Sequence, residues 1–194
     1  MPAVTEKPTA TARVAEAFFR DFAAGTQRQR SRLAAKAPLN VLREAALTHP
    51  DPFTRRDVLF FLDHYDNDAS MVTFAAALHD PVDFVRNMAL HSLACDACKS
   101  EELCVADVVP GLLEVLAGDP HPDLRAKAIP QLLRLSDRDP RARAAVQRAA
   151  TADSDPAVRR AATDALAGRL VMPRKRYERE QRRHAKAGAG RRAR

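Results

Sequence analysis

Apolar positions along this chain recur in one pattern, four times. HPDPFTRRDVLFFL begins at His49, DPVDFVRNMALHSL at Asp80, DPHPDLRAKAIPQLL at Asp119 and DSDPAVRRAATDAL at Asp153. Each stretch opens with a turn rich in Asp and Pro, followed by an Arg (Arg55, Arg86, Arg125, Arg159). Three positions on stands a small or apolar residue (Val58, Ala89, Ala128, Ala162), and four further on a leucine (Leu62, Leu93, Leu132, Leu166). Spacing of three and four puts these residues on one side of a helix. The turn starts that helix: Asp83 and Asp123 are placed to accept bonds from its first free amides, and proline cannot continue the helix before it. Before each turn lies a second apolar segment, PLNVLREAALT, ASMVTFAAALH, VADVVPGLLEVLAG or PRARAAVQRAATA. Each unit therefore reads as a helical hairpin. One hairpin cannot bury its apolar face alone, so neighbours must stack.

On these residues the chain resembles HEAT repeats, in particular the short bacterial HEAT-like units with a D-P-x-x-x-V-R-x-x-A pattern. The resemblance covers residues 38–168 in four repeats. It implies an all-α fold, a right-handed, armadillo-like α-solenoid of about four hairpins with an N-terminal helical cap. In such repeats the turn Asp and the Arg commonly pair between neighbours. The resemblance thus implies a ladder of Asp80, Arg86, Asp119, Arg125, Asp153 and Arg159 that braces the stack, the alternative being direct contact with a ligand. The first unit departs from the pattern, because His49 stands where Asp is expected, so the ladder is expected to start at Asp80.

The ends of a solenoid need covering. Residues 1–9 read as a disordered N-terminus and residues 10–37 as capping helices. The first of these, over 10–24, has Val14, Phe18 and Phe22 at four-residue spacing with Phe19 beside them. They read as the cap; a docking helix for a partner or membrane is the alternative, and the mixed charge of the polar side favours the cap. A further helix is expected over 27–36.

Composition supports the all-helical reading: six glycines, no Trp, and an excess of Ala, Leu, Val and Arg. No run approaches about eighteen apolar residues, so no membrane span is expected. Charges at Glu6, Lys7, Arg13 and Glu16 interrupt any signal-peptide core. With three cysteines, an odd number, the expectation is a reducing, cytoplasmic setting without disulfides. The net charge of +7 hides a division. From Arg169 to the end there are eleven Arg or Lys and two acids, whereas the remainder has 21 basic and 23 acidic residues. Residues 169–194 read as a basic, largely disordered or loosely helical tail. Its Arg174, Lys175, Arg176, Arg179, Arg182, Arg183, Lys186, Arg191, Arg192 and Arg194 are candidates for binding RNA, DNA or another polyanion. With only Tyr177 for stacking, sequence-specific recognition is not supported.

All three cysteines fall in HSLACDACKSEELC, residues 91–104. The turns are spaced 31, 39 and 34 residues apart, and the long step contains this segment. If the helix that starts near Phe84 continues to Cys98, then His91, Cys95 and Cys98 share one side of it, about 120° from the core stripe. Cys104 would return from the loop to face them. Cys₃His is a structural zinc set, so one zinc ion is a candidate cofactor at His91, Cys95, Cys98 and Cys104. Two other readings stay open: thiols packed as small apolar groups, and redox chemistry, which lacks a βαβ context. His49, His64, His79 and His121 have no ligand spacing and read as ordinary surface groups.

No phosphate loop, Ser/His/Asp arrangement or carboxylate pair stands out. Repeated His-Glu dipeptides, as in di-iron HEAT-like hydroxylases, and the aromatic pockets of HEAT-like glycosylases are both missing. A lyase-type enzyme of HEAT-like build is left as an alternative. The leading expectation is a non-catalytic scaffold or adaptor that binds a protein along its surface. Polyanion binding through the tail is second.

Overall fold

The computed structural model describes residues 9–65, 68–95 and 105–169. Among these residues there are ten α-helices, one 3₁₀ turn and no strand. The helices are α1 (Ala10–Ala24), α2 (Gln27–Ala34), α3 (Leu39–Thr48), α4 (Pro52–Tyr65), α5 (Met71–Ala77), α6 (Asp83–Ala94), α7 (Val105–Gly118), α8 (Pro122–Arg134), α9 (Pro140–Ala152) and α10 (Pro156–Leu166). The 3₁₀ turn, Asp68–Ser70, leads into α5. The described residues therefore form an all-α solenoid.

Local chemistry sets many of the helix starts. Thr9 accepts from the Ala12 amide at 3.1 Å to begin α1. Thr26 and Gln29 form a capping box at α2, each side chain satisfying the other's backbone. Pro52, Pro122, Pro140 and Pro156 each open a helix, where their missing N–H costs nothing. Asp155 accepts from the amides of Ala157 and Val158. Asp83 accepts the first-turn amide of Phe84 at 2.8 Å, as expected, whereas no such bond to Asp123 is found among the described residues. Val82 and His121 occupy the two cap positions, so Asp83 and Asp123 lie inside the helices on exposed sites.

The hairpins pair α3 with α4, α5 with α6, α7 with α8 and α9 with α10. They stack in two rows. First helices pack in the order α3, α5, α7, α9, and second helices in the order α4, α6, α8, α10. One apolar core runs through the stack, from Ala15 and Phe18 to Ala162. Val58, Ala89, Ala128 and Ala162 are fully buried, as are Leu62, Leu93 and Leu132. Leu166, the fourth of the closing leucines, is only half-buried, because no described helix follows α10. Burying each closing leucine stabilises the fold by roughly 1.5–3 kcal/mol. Gly111 of α7 allows a close approach, since a Cβ there would lie 2.9 Å from side-chain atoms of Leu78 and Leu93.

Helix α1 packs on α3. Phe18, Phe19 and Phe22 meet Phe61 of α4 at 5.0, 5.9 and 5.3 Å between ring centroids, and Phe22 also meets Tyr65. The buried positions of α1 are Ala12, Ala15 and Phe18, so Val14 points away and is 42% exposed, contrary to the expected stripe. The helix turns its small residues toward α3, and Val14 falls outside that arc. Arg30 of α2 ties the end of α1 by donating to the Phe22 and Ala23 carbonyls at 2.9 and 2.8 Å.

Candidate functional site

The turn between the two helices of each hairpin carries the polar core of the molecule. Arg55 donates Nε to Asp80 Oδ2 at 2.6 Å and Nη2 to Asp80 Oδ1 at 2.9 Å. Arg86 makes the same fork to Asp119 at 2.8 and 3.0 Å, and Arg125 to Asp153 at 2.9 and 2.8 Å. Each rung thus runs from the Arg of one unit to the Asp of the next. The third guanidinium nitrogen faces home: Nη1 donates to the turn carbonyls of His49, Asp80 and Asp119 at 2.6, 3.0 and 2.7 Å. Each Asp Oδ1 also accepts a turn amide at 2.8 Å, from Val82, His121 or Asp155. One planar fork thereby joins two turns, a geometry Lys cannot reproduce.

These groups are largely out of water, and their electrostatics show it. Burial would raise the Asp119 pKa, but the Arg86 hydrogen bonds and the His121 amide more than offset this and hold it below the usual value. Asp153 is held down mainly by its bonds from Arg125, with burial opposing. Arg86 and Arg125 are raised chiefly by bonding their aspartates.

The ladder differs from the expected set at both ends. Arg55 belongs to it, although only groups from Asp80 onward were expected. At the far end, Arg159 bonds only carbonyls, Asp153 O at 2.6 Å and Ser154 O at 3.1 Å, with no carboxylate among the described residues. His49 is not a surface group: it is 3% exposed. Its Nδ1 accepts the Asp51 amide at 3.1 Å, taking over the turn-closing role that Asp80 Oδ1 has in the next unit. Its Nε2 lies 3.4 Å from Glu16 Oε1 of α1. His64, His79 and His121 are at least partly exposed and lie 3.9, 3.6 and 3.7 Å from Asp63, Glu114 and Asp83.

The cysteine segment is described only as far as Cys95. Helix α6 stops at Ala94, and Cys95 has extended backbone, φ −83° and ψ 109°. Cys95 therefore does not continue the helical face of His91 as expected. Arg134 of α8 donates to the Ala94 carbonyl at 2.7 Å and satisfies one of the open carbonyls at that helix end. Cys98 and Cys104 lie outside the described residues. Among the described residues no group of three or more His, Cys, Asp or Glu could hold a metal ion. His91 Nε2 instead lies 3.7 Å from Asp63 Oδ2 of α4. Asp63 is fully buried at a position filled by Ala94 and Leu133 in the next two units, and sequence reasoning missed it. The polyanion candidates from Arg174 to Arg194, and residues 1–8, also lie outside the described residues.

One surface stands apart. Phe53 and Phe60 lie seven residues apart on the outer side of α4, 57% and 54% exposed. Phe53 stacks on Phe84 of α6 at 5.0 Å, and Arg56 lies over the Phe53 ring at 5.6 Å. His64 packs on Phe60 at 4.4 Å. The equivalent positions in the last two units hold Asp123 and Pro130, then Ala157 and Asp164. The aromatic patch is thus confined to the first two units. The sequence signal for it was weak, because the apolar run of α4 hides which phenylalanines point outward.

Braced helical hairpins stacked in two rows define an α-solenoid. Residues 109–176 match the family model for HEAT repeats. That part of the chain is built of HEAT repeats, which commonly serve as protein-interaction scaffolds. No curated protein and no solved structure matches the chain. Among the described residues no helix is long and apolar enough to cross a membrane.

Proposed function

We propose that the chain is a non-catalytic cytoplasmic scaffold or adaptor that binds a partner protein through the outer side of α4 and α6. The exposed Phe53 and Phe60, with Phe84 stacked beside them, support this reading. Exposed aromatic side chains flanked by an Arg are typical anchors of protein interfaces. The test uses the full-length chain as bait in native lysate, with cross-linking and mass spectrometry. A reproducible partner should be lost with the Phe53→Ala/Phe60→Ala double variant, while the unfolding midpoint stays near the parent's. No reproducible partner, or one that ignores both substitutions, contradicts the reading.

The charge division supports a second reading, polyanion binding by residues 169–194. A fluorescent single-stranded RNA should bind with steep salt dependence and lose affinity when residues 172–194 are removed. Binding unchanged by that truncation rejects it. A structural zinc at His91, Cys95, Cys98 and Cys104 would tie the segment between α6 and α7. His91 and Cys95, four residues apart at the end of α6, support it. About one zinc per chain, lost in Cys95→Ser/Cys98→Ser, is the expected metal content, and metal-free folded protein overturns it.

A further inference from the structure

Outside residues 169–194 the charge is also unevenly spread. Residues 22–43 hold five basic side chains and no acid, whereas residues 44–168 hold 13 basic and 20 acidic ones. The basic stretch centres on α2, beside α1 at the N-terminal end of the stack. Helix α2 contributes little to packing. None of its residues is buried, and only Leu33 and Ala34 reach the core. The capping box of Thr26 and Gln29 starts it, and Arg30 fastens it to the end of α1.

Three basic groups are left over from that work. Arg28, Arg32 and Lys36 follow one another at four-residue spacing, so they fall on one side of α2 and of the turn that continues it. All three are exposed. Among the described residues none of them makes a hydrogen bond or an ion pair. The flanking acids, Asp21 and Glu44, do not meet them, and Glu44 accepts from Thr11 instead. Like charges at this spacing repel and weaken a helix. Nothing described in the fold offsets that repulsion, and an external polyanion would. The row is about 12 Å long. One strand of duplex nucleic acid carries a charge every about 3.4 Å along its axis, so the row spans about three phosphates.

We infer that the exposed side of α2 binds the phosphate backbone of a nucleic acid duplex, with Arg28, Arg32 and Lys36 on phosphates of one strand. Gln27, exposed beside Arg28, adds a polar contact of the kind made to sugar and phosphate oxygens. Binding is independent of sequence, because α2 carries no aromatic ring to stack on a base. Two other anionic partners fit less well. A membrane surface needs an apolar anchor beside the charge, and Leu33, the one large apolar residue of α2, packs on the core. An acidic protein needs an apolar centre within the contact, and the exposed residues of α2 are Arg, Gln and Ser. The inference shares its polyanion chemistry with the reading of residues 169–194 but rests on different residues, so either can fail alone.

The probe is a fluorescein-labelled DNA duplex of about 20 base pairs, titrated with the full-length chain over a range of salt. Arg28→Gln/Arg32→Gln/Lys36→Gln removes the row and keeps residues 169–194. Its affinity should fall by about tenfold or more at about 0.1 M salt. The slope of log K against log salt should shrink by about 2.7, or about 0.9 for each lost phosphate contact. Its unfolding midpoint should match the parent's, since these side chains bond nothing described in the fold. The control, Arg143→Gln/Arg148→Gln/Arg160→Gln, removes the same charge from exposed sites on α9 and α10 and should leave the slope near the parent's. An RNA duplex of the same length runs beside the DNA. Loss of slope with either supports the site, and the tighter of the two names the nucleic acid. No binding by the parent, a slope unchanged in the α2 variant, or equal losses in both variants overturns the proposal. An unchanged slope would leave the binding to residues 169–194. Tighter binding of phosphatidylserine vesicles or of polyglutamate than of either duplex, lost in the α2 variant, also overturns it, in favour of a membrane or an acidic protein.

Discussion

The two ends of the solenoid are closed by different chemistry. At the N-terminal end, α1 lies across α3 and places three phenylalanines on Phe61. At the C-terminal end, among the described residues, the last helix changes its own side chain. Four positions after each ladder Arg stand Leu59, Leu90 and Ile129, all buried, but in α10 the residue is Thr163. Thr163 is exposed and donates to the Arg159 carbonyl at 2.9 Å. Among the described residues, one end is covered by an added element, and the other ends on a polar substitution within the repeat. The Arg side chains tell the two situations apart. Interior arginines hold a carboxylate from the next unit, whereas Arg159 keeps only its home contacts.

Substitutions at equivalent positions can break this comparison. The largest effect is expected inside the stack. Arg86→Ala leaves the buried Asp119 carboxylate without its fork, and a loss of about 3–5 kcal/mol is expected in urea unfolding. Arg159→Ala should cost less than about 1 kcal/mol, because no buried carboxylate is orphaned. Next is Phe61→Ala, which removes the ring that the α1 phenylalanines share, and about 3 kcal/mol is expected to be lost. In a truncation that lacks α1, the same substitution should cost much less.

Acid should act on the interior rungs. Asp119 and Asp153 have folded pKa values held below the unfolded value of about 3.9. Their contribution to stability is therefore present above that value and lost as pH falls through the folded one. Unfolding free energy measured from pH 6 down to pH 2 should fall, and Arg86→Ala should flatten part of that fall. The smallest effect is expected at the polar end. Thr163→Leu restores the interior pattern on an exposed surface, so stability should change by no more than about 0.5 kcal/mol. Sedimentation should instead reveal self-association, and its absence would mean that Thr163 is not what closes this end.

Much of the architecture was legible because turn chemistry and apolar spacing agree in every unit. Asp-Pro turns mark the hairpin tips, and the Arg, +3, +7 spacing marks the buried side of each second helix. Other features needed three dimensions. A repeat shows that Arg and Asp recur, but not that each Arg reaches forward to the following Asp, so Arg55 was not expected in the ladder. His49 looked like a lost Asp, yet its Nδ1 closes the turn as a carboxylate oxygen would. Nothing between Leu93 and Cys98 is a helix breaker by composition, so the end of α6 at Ala94 could not be read. In VLFFL of α4, Leu59, Phe61 and Leu62 are buried and Phe60 is not, a division that depends on where α1 and α6 pack.

The rungs act as energetic couplings between neighbouring units of the stack. The most direct measurement is a double-mutant cycle on Arg86→Ala and Asp119→Ala by urea denaturation of the full-length chain. A coupling energy of about 1.5 kcal/mol or more, with the double variant less damaged than the two single losses together, is the expected result. Additive losses within about 0.3 kcal/mol would mean that the pair does not hold the units together, and would contradict it.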